Sequence, residues 1–106
     1  MSTILLVRTT IGDAESADRV ANGLIEGRLA ACASLSPIRS VYRWKGMVET
    51  ADEIAILFKT TPDRADELRS AIEARHTYDQ PVVEMWEADV DPSVAEWVCA
   101  ETAKVS

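Results

Sequence analysis

The stretch that decides the fold runs from Ala33 to Thr61 and reads ASLSPIRSVYRWKGMVETADEIAILFKTT. Tyr, Trp, Val and Ile favour extended strands, and they are frequent on both sides of Lys45-Gly46. A glycine in a short connection supplies the positive φ that a tight hairpin needs. We therefore predict two antiparallel strands that meet at Lys45-Gly46. Pro37 should lie at an edge position or bulge, because it cannot donate a ladder hydrogen bond.

This hairpin is predicted to be longer than its own core. Each arm has roughly a dozen residues and would span about 40 Å when extended. A compact chain of this length should have a diameter of only about 30–35 Å. The overhang would expose a strand edge that invites pairing with another chain. The polar run Glu49–Glu53 is expected to interrupt the returning strand, with a bulge as the suggested form of the interruption.

Before the hairpin, the sequence predicts a strand followed by a helix. The apolar run within Thr3–Arg8 predicts a strand buried on both faces, and Thr9–Gly12 predicts a turn. Asp13 is placed to cap the helix, and Gly27 is placed to end it.

After the hairpin, the sequence predicts a helix, a strand and a short last helix. Thr61-Pro62-Asp63 combines a cap with a proline at the first helical position, and the helix should end near Arg75-His76. A strand is predicted at Val82–Trp86, and Asp91-Pro92 repeats the cap-plus-proline signal. The residues expected to pack inward from the last helix are Val94, Trp97 and Val98, together with Cys99.

The resulting order, β-α-β-β-α-β-α, predicts an α+β fold. Its first six elements are those of a ferredoxin-like sandwich, in which two helices cover one face of an antiparallel sheet. A chain of 106 residues suits one core, so residues 1–106 are expected to form a single domain. The other sheet face has only the last helix as possible cover, which together with the hairpin predicts an oligomer.

Composition and charge limit the kinds of partner that the protein is expected to bind. The formal charge is −7, with 18 acidic and 11 basic residues, and such a surface repels phosphate backbones. No apolar run approaches the ~20 residues that a membrane helix requires. The first residues lack the basic flank of a signal peptide. We therefore expect a cytoplasmic protein that binds neither nucleic acid nor membrane and keeps its two cysteines reduced.

The candidate chemistry lies at His76 and Cys32. His76 is the only histidine; it either caps a helix C-terminus as a cation or serves as a metal ligand or proton carrier. Cys32 is either a small buried hydrophobe or a soft ligand, and a thiolate with an imidazole would suit copper or zinc. The sequence contains no zinc-protease motif, Cys/His cluster or glycine-rich phosphate loop. An enzyme is therefore not predicted.

Two further places could bind a ligand or a subunit. Tyr42 and Trp44 share one strand face, where they would stack on a ligand or cover a neighbouring subunit, and the subunit is favoured. Lys59 ends the core strand beside a helix N-terminus, which is a place that can hold an anion.

Taken in order, several segments resemble the CutA family of divalent-cation tolerance proteins over nearly the whole chain. They are Arg28–Cys32, Ser40–Gly46, Lys59–Thr61 and His76-x-Tyr78-x-x-Pro81. The resemblance implies a ferredoxin-like fold assembled as a trimer similar to the PII signalling proteins. It also implies tolerance to copper or other divalent metals and binding of such ions. The alternative is a PII-like regulatory module that binds a small anionic ligand or a protein partner without metal chemistry.

The resemblance also implies roles for individual residues. Cys32 matches the family's Ala-Ala-Cys cysteine, while His76, Tyr78 and Pro81 match its His-Pro-Tyr-Glu-x-Pro loop. Thr77 and Asp79 stand where the family has Pro and Glu, and the segment after Cys32 is one residue shorter near Pro37. The implied sites are metal ligands at Cys32, His76 and Asp79, a ligand cleft at Lys59 and Tyr78, and an interface at Tyr42 and Trp44.

Overall fold

The computed structural model describes residues 1–104. Its elements are β1 (Ser2–Ile11), α1 (Ala14–Glu26), β2 (Cys32–Trp44), β3 (Met47–Thr60), α2 (Ala65–Arg75), β4 (Val83–Val90) and α3 (Pro92–Glu101). The strands form one antiparallel sheet in the order β2-β3-β1-β4, which confirms the predicted α+β, ferredoxin-like arrangement. Among the described residues, no helix is long and apolar enough to cross a membrane.

The core lies between the sheet and the first two helices. Alternate residues of the paired central strands point to this side, because side chains alternate across a strand. Helices α1 and α2 bring apolar residues at helical spacing against them. The fully buried members of this core include Val7, Ile11, Leu24, Ile56, Phe58, Leu68 and Ile72.

Helix α1 begins and ends as predicted. The Oδ1 of Asp13 accepts a hydrogen bond from the backbone N–H of Ser16 at 2.7 Å, which satisfies one of the free donors of the first turn. Gly27 is the C-terminal cap. Arg28 follows in the left-handed region with a φ of 61°. Its guanidinium donates to the carbonyl of Ala100 within the last helix and to that of Ala103 after it.

The β2–β3 hairpin is confirmed, but the predicted bulge is wrong. The strands pair without a break from Cys32↔Lys59 to Trp44↔Met47, so Glu49–Glu53 stays in register. Glu49, Thr50 and Asp52 are exposed to solvent, and every residue of the run, including the buried Glu53, has a partner on β2. The turn has positive φ at both Lys45 (50°) and Gly46 (79°), as a two-residue hairpin requires.

The hairpin projects beyond the rest of the sheet. β1 pairs with β3 only as far as Ile11↔Ile54, so residues 39–52 extend past the core as a two-stranded arm. The longest dimension of the chain is 45 Å, against 29 and 20 Å in the other directions. Pro37 lies on β2, which is an edge strand as its missing N–H predicted.

Two strands are longer than predicted. Thr9 and Ile11, expected in a turn, continue β1 and pair with β3, and the hydroxyl of Thr9 donates to the carbonyl of Val82 at 2.8 Å. β4 runs to Val90 because the start of β1 pairs with it from Ser2. The partner strand, rather than local composition, therefore sets both lengths.

The helix starts after the hairpin also depart from prediction. Pro62–Arg64 forms a 3₁₀ turn before α2, and the side chain of Thr61 makes no capping hydrogen bond. Asp91 stands before α3 without a side-chain cap either. The prolines are nevertheless in the first turn, as predicted, because their missing N–H has no helical partner to lose there.

Helix α3 buries a narrower stripe than predicted. Val98 is fully buried, but Trp97 is 45% exposed and Cys99 is exposed, so their predicted inward packing is wrong in this chain. α3 contacts β1 and β3 at one end of the open sheet face. Within residues 1–104, Trp86 on that face remains exposed beside α3.

We expect Leu68→Ala to lower the free energy of unfolding by about 2–5 kcal/mol, because it leaves a cavity under α2 in a fully buried position. Urea unfolding at one fixed protein concentration measures the change. The control is Arg69→Ala, which removes an exposed side chain on the same helix. Equal effects of the two substitutions would contradict the assigned core.

Candidate functional site

The loop between α2 and β4 is tied to β1 by His76. The Nε2 of His76 lies 2.7 Å from the backbone carbonyl oxygen of Thr10, and its Nδ1 lies 3.0 Å from the backbone nitrogen of Tyr78. A carbonyl can only accept a hydrogen bond and a backbone N–H can only donate one. The proton of the neutral ring therefore sits on Nε2, and both ring nitrogens are engaged within the chain.

Tyr78 is held between His76 and Glu53. Its hydroxyl donates to the Oε2 of Glu53 at 2.7 Å, and its ring lies against the imidazole with centroids 4.9 Å apart. Gly12 makes room for the hydroxyl, because a Cβ at that position would come within 3.3 Å of the Tyr78 oxygen. Three separate segments thus position one phenol.

Glu53 is a buried carboxylate where the hairpin leaves the core, and it is only 8% exposed. Burial alone would raise the pKa of Glu53, but the nearby hydroxyls of Ser40, Tyr78 and Thr10 lower the pKa by more, so it lies below its ordinary value. Burial first, and then the hydrogen bond and charge of Glu53, raise the pKa of Tyr78 to about 12. At neutral pH Glu53 is therefore an ionised acceptor and Tyr78 is a neutral donor, which makes the hydrogen bond between them charge-assisted.

These two pKa shifts define a stability window for the pair. The lowered pKa of Glu53 stabilises the fold above the ordinary carboxyl value, and this contribution is lost as pH falls through the folded-state pKa. The raised pKa of Tyr78 contributes fully below its ordinary value of 10.0 and is lost as pH rises towards about 12. Neutral pH lies inside both limits.

Cys32 and Lys59 form a second group at the other end of the sheet. They are cross-strand partners at the start of β2 and the end of β3. The Nζ of Lys59 lies 3.9 Å from the Sγ of Cys32, and Lys59 is also in line with Leu6 of β1. Thiol and ammonium are both partly accessible and face the open side of the sheet.

One chain does not bring the predicted metal ligands together. Cys32 lies level with Leu6, whereas His76 bonds to Thr10, four residues along β1 and about 13 Å away. Asp79 is exposed on the α2–β4 loop. Within residues 1–104, no group of three or more His, Cys, Asp or Glu side chains could hold a metal ion. The ligands predicted at Cys32, His76 and Asp79 therefore do not fit a metal site within a single chain.

The two residues of the predicted ligand cleft, Lys59 and Tyr78, also lie far apart in one chain. Lys59 lies beside Cys32 at the end of β3, whereas Tyr78 lies on Glu53 at the base of the projecting arm. A ligand that touched both residues would have to span most of the length of β1.

The predicted interface residues lie at the tip of the arm. Tyr42 is 45% exposed and Trp44 is 50% exposed, and they share one strand face with Met47. The ammonium of Lys45 lies 5.8 Å from the ring centroid of Trp44. Aromatic side chains on an arm beyond the core leave an apolar surface that their own chain does not cover.

Sequence reasoning missed Glu53, Thr10 and Gly12. Glu53 was assigned to a polar interruption, although its place on the same strand face as Ala55 and Leu57 was a signal that it points towards the sheet surface. Its link to Tyr78 joins residues 25 positions apart. No spacing rule reveals such a pair before the fold is known.

The fold and the two side-chain groups define a small ferredoxin-like sandwich with a projecting β2–β3 arm and polar groups at both ends of its sheet. Residues 5–101 match the family described as CutA1 divalent ion tolerance protein. The chain belongs to this family, as the sequence segments indicated.

Individual relatives agree with this assignment. The divalent-cation tolerance protein CutA of Pyrococcus horikoshii is 36% identical over 102 residues, which cover 95% of this chain and 100% of that protein. The crystal structure of CutA from Xylella fastidiosa superposes with a TM-score of 0.92 at 32% identity, covering 96% and 100% of the two chains. The periplasmic divalent cation tolerance protein CutA of Archaeoglobus fulgidus gives a TM-score of 0.90 at 28% identity over 96% and 100%.

We expect Tyr78 to ionise with a pKa of about 12, because its hydroxyl is partly buried and is held by the Glu53 carboxylate. The chain has two tyrosines, so Tyr42→Phe leaves Tyr78 alone for an ultraviolet titration of the phenolate. In that background, Glu53→Gln should lower the pKa of Tyr78 towards 10.0, since the carboxylate charge is removed. Asp52→Asn, on the neighbouring exposed residue, is the control, and a Tyr78 pKa that Glu53→Gln leaves unchanged would rule out the pairing.

Proposed function

We propose that this protein is a cytoplasmic, homotrimeric divalent-metal tolerance protein that binds copper or another divalent metal at clefts between its subunits. The projecting arm is the observation that carries the proposal. Its aromatic tip extends beyond the core and is uncovered within its own chain. A tip that contacts a different surface of the next copy makes a head-to-tail contact, which is satisfied throughout only when the assembly closes into a ring.

A site between subunits is supported by the donors that one chain leaves available. The proposed donors are Cys32, a free and partly accessible thiol, and Asp79, an exposed carboxylate. His76, the third residue that the resemblance implied, has both nitrogens engaged in its own chain. Thiolate and carboxylate can meet at one ion only if different copies supply them, because Cys32 lies level with Leu6 of β1 and Asp79 lies on the loop that His76 ties to Thr10.

The proposed cytoplasmic location is supported by the state of the cysteines. Two free cysteines suit a reducing compartment, although the A. fulgidus relative is described as periplasmic.

General acid–base catalysis needs a group that exchanges its proton with a substrate near neutral pH. The raised pKa of Tyr78 and the two engaged nitrogens of His76 oppose that use, which supports a binding protein.

A PII-like module for an anionic ligand or a protein partner is the second candidate. The observation that favours it is Lys59, whose ammonium lies 3.9 Å from the Cys32 thiol on the open face. A fixed cation repels metal ions and attracts anions, and in the trimer this face would line the cleft.

We expect light scattering to return three times the chain mass of 11.6 kDa at micromolar concentration. Tyr42→Ser combined with Trp44→Ser should shift the equilibrium to smaller species, because the apolar tip is lost. Trp97→Ser removes an equally exposed tryptophan from α3 and serves as the matched control. A monomeric wild type, or dissociation caused equally by the control, would contradict the proposed interface.

A thermal-shift panel separates the two candidate functions. We expect Zn²⁺ and anaerobic Cu⁺ to raise the melting temperature of wild type and of Cys99→Ser, but to have much less effect on Cys32→Ser or Asp79→Asn. The two cysteine variants test one thiol against the other in the same chain. A shift caused by inorganic phosphate, a nucleoside triphosphate or a dicarboxylate, abolished by Lys59→Met and absent with metals, would replace the metal proposal with the PII-like one.

A further inference from the structure

The side chain of His76 forms two hydrogen bonds of opposite sense. Its Nε2 donates to the Thr10 carbonyl at 2.7 Å, and its Nδ1 accepts from the Tyr78 N–H at 3.0 Å. We propose that His76 is a positioning residue rather than a metal ligand: its neutral ring fastens the α2–β4 loop to β1 and sets Tyr78 on Glu53. This inference does not depend on whether the trimer binds metal elsewhere.

The first step is the anchoring of the loop. Residues 76–82 lie outside regular secondary structure. The described side-chain hydrogen bonds that join this segment to the sheet come from three places: the His76 ring to Thr10, the Tyr78 hydroxyl to Glu53, and the Thr9 hydroxyl to Val82. His76 supplies the one at the start of the segment, directly after α2, so it fixes where the loop leaves the helix.

The second step concerns the orientation of the Tyr78 side chain. The bond from the Tyr78 N–H back to Nδ1 fixes the backbone two residues after the histidine. The tyrosine ring then lies against the imidazole, and its hydroxyl reaches a carboxylate that is almost fully buried. The ring of His76 therefore supports Tyr78 through both a backbone bond and a side-chain contact.

The third step excludes ligation in this geometry. Zinc–nitrogen and zinc–oxygen bonds are about 2.0–2.2 Å each, so an ion that bridged Nε2 and the Thr10 oxygen at a tetrahedral angle would need these two atoms to be about 3.4 Å apart. The observed separation is 2.7 Å. An ion at Nδ1 would displace the Tyr78 N–H from its acceptor, because that nitrogen has one lone pair.

A helix-capping role is also a poorer account of the ring. His76 ends α2, as predicted, but its ring nitrogens bond to β1 and to the loop rather than to the last carbonyls of α2. A protonated ring would lose the acceptor that the Tyr78 N–H uses. The arrangement thus requires the neutral ring.

The test uses three substitutions in the Tyr42→Phe background, where Tyr78 is the only tyrosine. His76→Phe keeps a ring but removes both bonds. His76→Asn keeps an acceptor near the Nδ1 position, and His76→Gln keeps a donor near the Nε2 position. We expect His76→Phe to lower the pKa of Tyr78 from about 12 towards 10.0, with partial recovery in Asn or Gln. A folded His76→Phe protein with an unchanged Tyr78 titration would overturn the positioning role.

A second measurement uses unmodified protein and does not depend on any variant folding. With one histidine in the chain, ¹⁵N NMR of the imidazole should show a protonated Nε2 and an unprotonated Nδ1. Saturating Zn²⁺ should leave both ring signals in place while Cys32 responds. A shifted or broadened imidazole nitrogen at stoichiometric Zn²⁺ would make His76 a ligand after all. If Zn²⁺ binds nowhere, the metal function fails, and the tautomer and the Tyr78 titration still decide the role of His76.

Discussion

The β2–β3 ladder keeps one register from Cys32↔Lys59 to Trp44↔Met47, and the rest of the molecule depends on it. Side chains alternate across a strand, so a slip of one residue would move every side chain to the opposite face. Ile56 and Phe58 would leave the core, and Glu53 would turn towards the helices. The apolar core thus fixes the β2–β3 register at one end of the hairpin. Because the register continues without a break, it also determines the face on which each exposed residue of the arm lies.

Signals between neighbouring residues made the fold predictable. The turn at Lys45-Gly46, the Asp13 cap and the prolines after the hairpin each involve a few adjacent residues, and each was located correctly. Strand ends were not, because they depend on the partner: β1 continues through Ile11 since β3 offers partners that far. The expected bulge failed for the same reason, because β2 offers a partner to every residue of Glu49–Glu53, including the buried Glu53.

The candidate site could be predicted only in part. Family segments indicated individual residues, but their grouping needed the sheet order. Cys32 lies level with Leu6 of β1 through its partner Lys59, whereas His76 bonds to Thr10, four residues further along β1. Glu53 shows the opposite problem, since its alternation with Ala55 and Leu57 indicates the face it occupies but not its partner. Its role comes from Tyr78, and that contact exists only because the α2–β4 loop folds back over the end of β1.

Burial of Glu53 at the base of the arm has a mechanical consequence. A buried carboxylate is tolerated only when hydrogen bonds replace its lost hydration, and here the Tyr78 hydroxyl of the α2–β4 loop donates to Oε2 at 2.7 Å. Rotating the arm away from the core would separate Glu53 from this donor. The bond between Glu53 and Tyr78 therefore opposes bending of the arm where it leaves the core. A tip held at a fixed angle can meet the same surface on each neighbouring copy, which is the condition that a closed ring of three imposes.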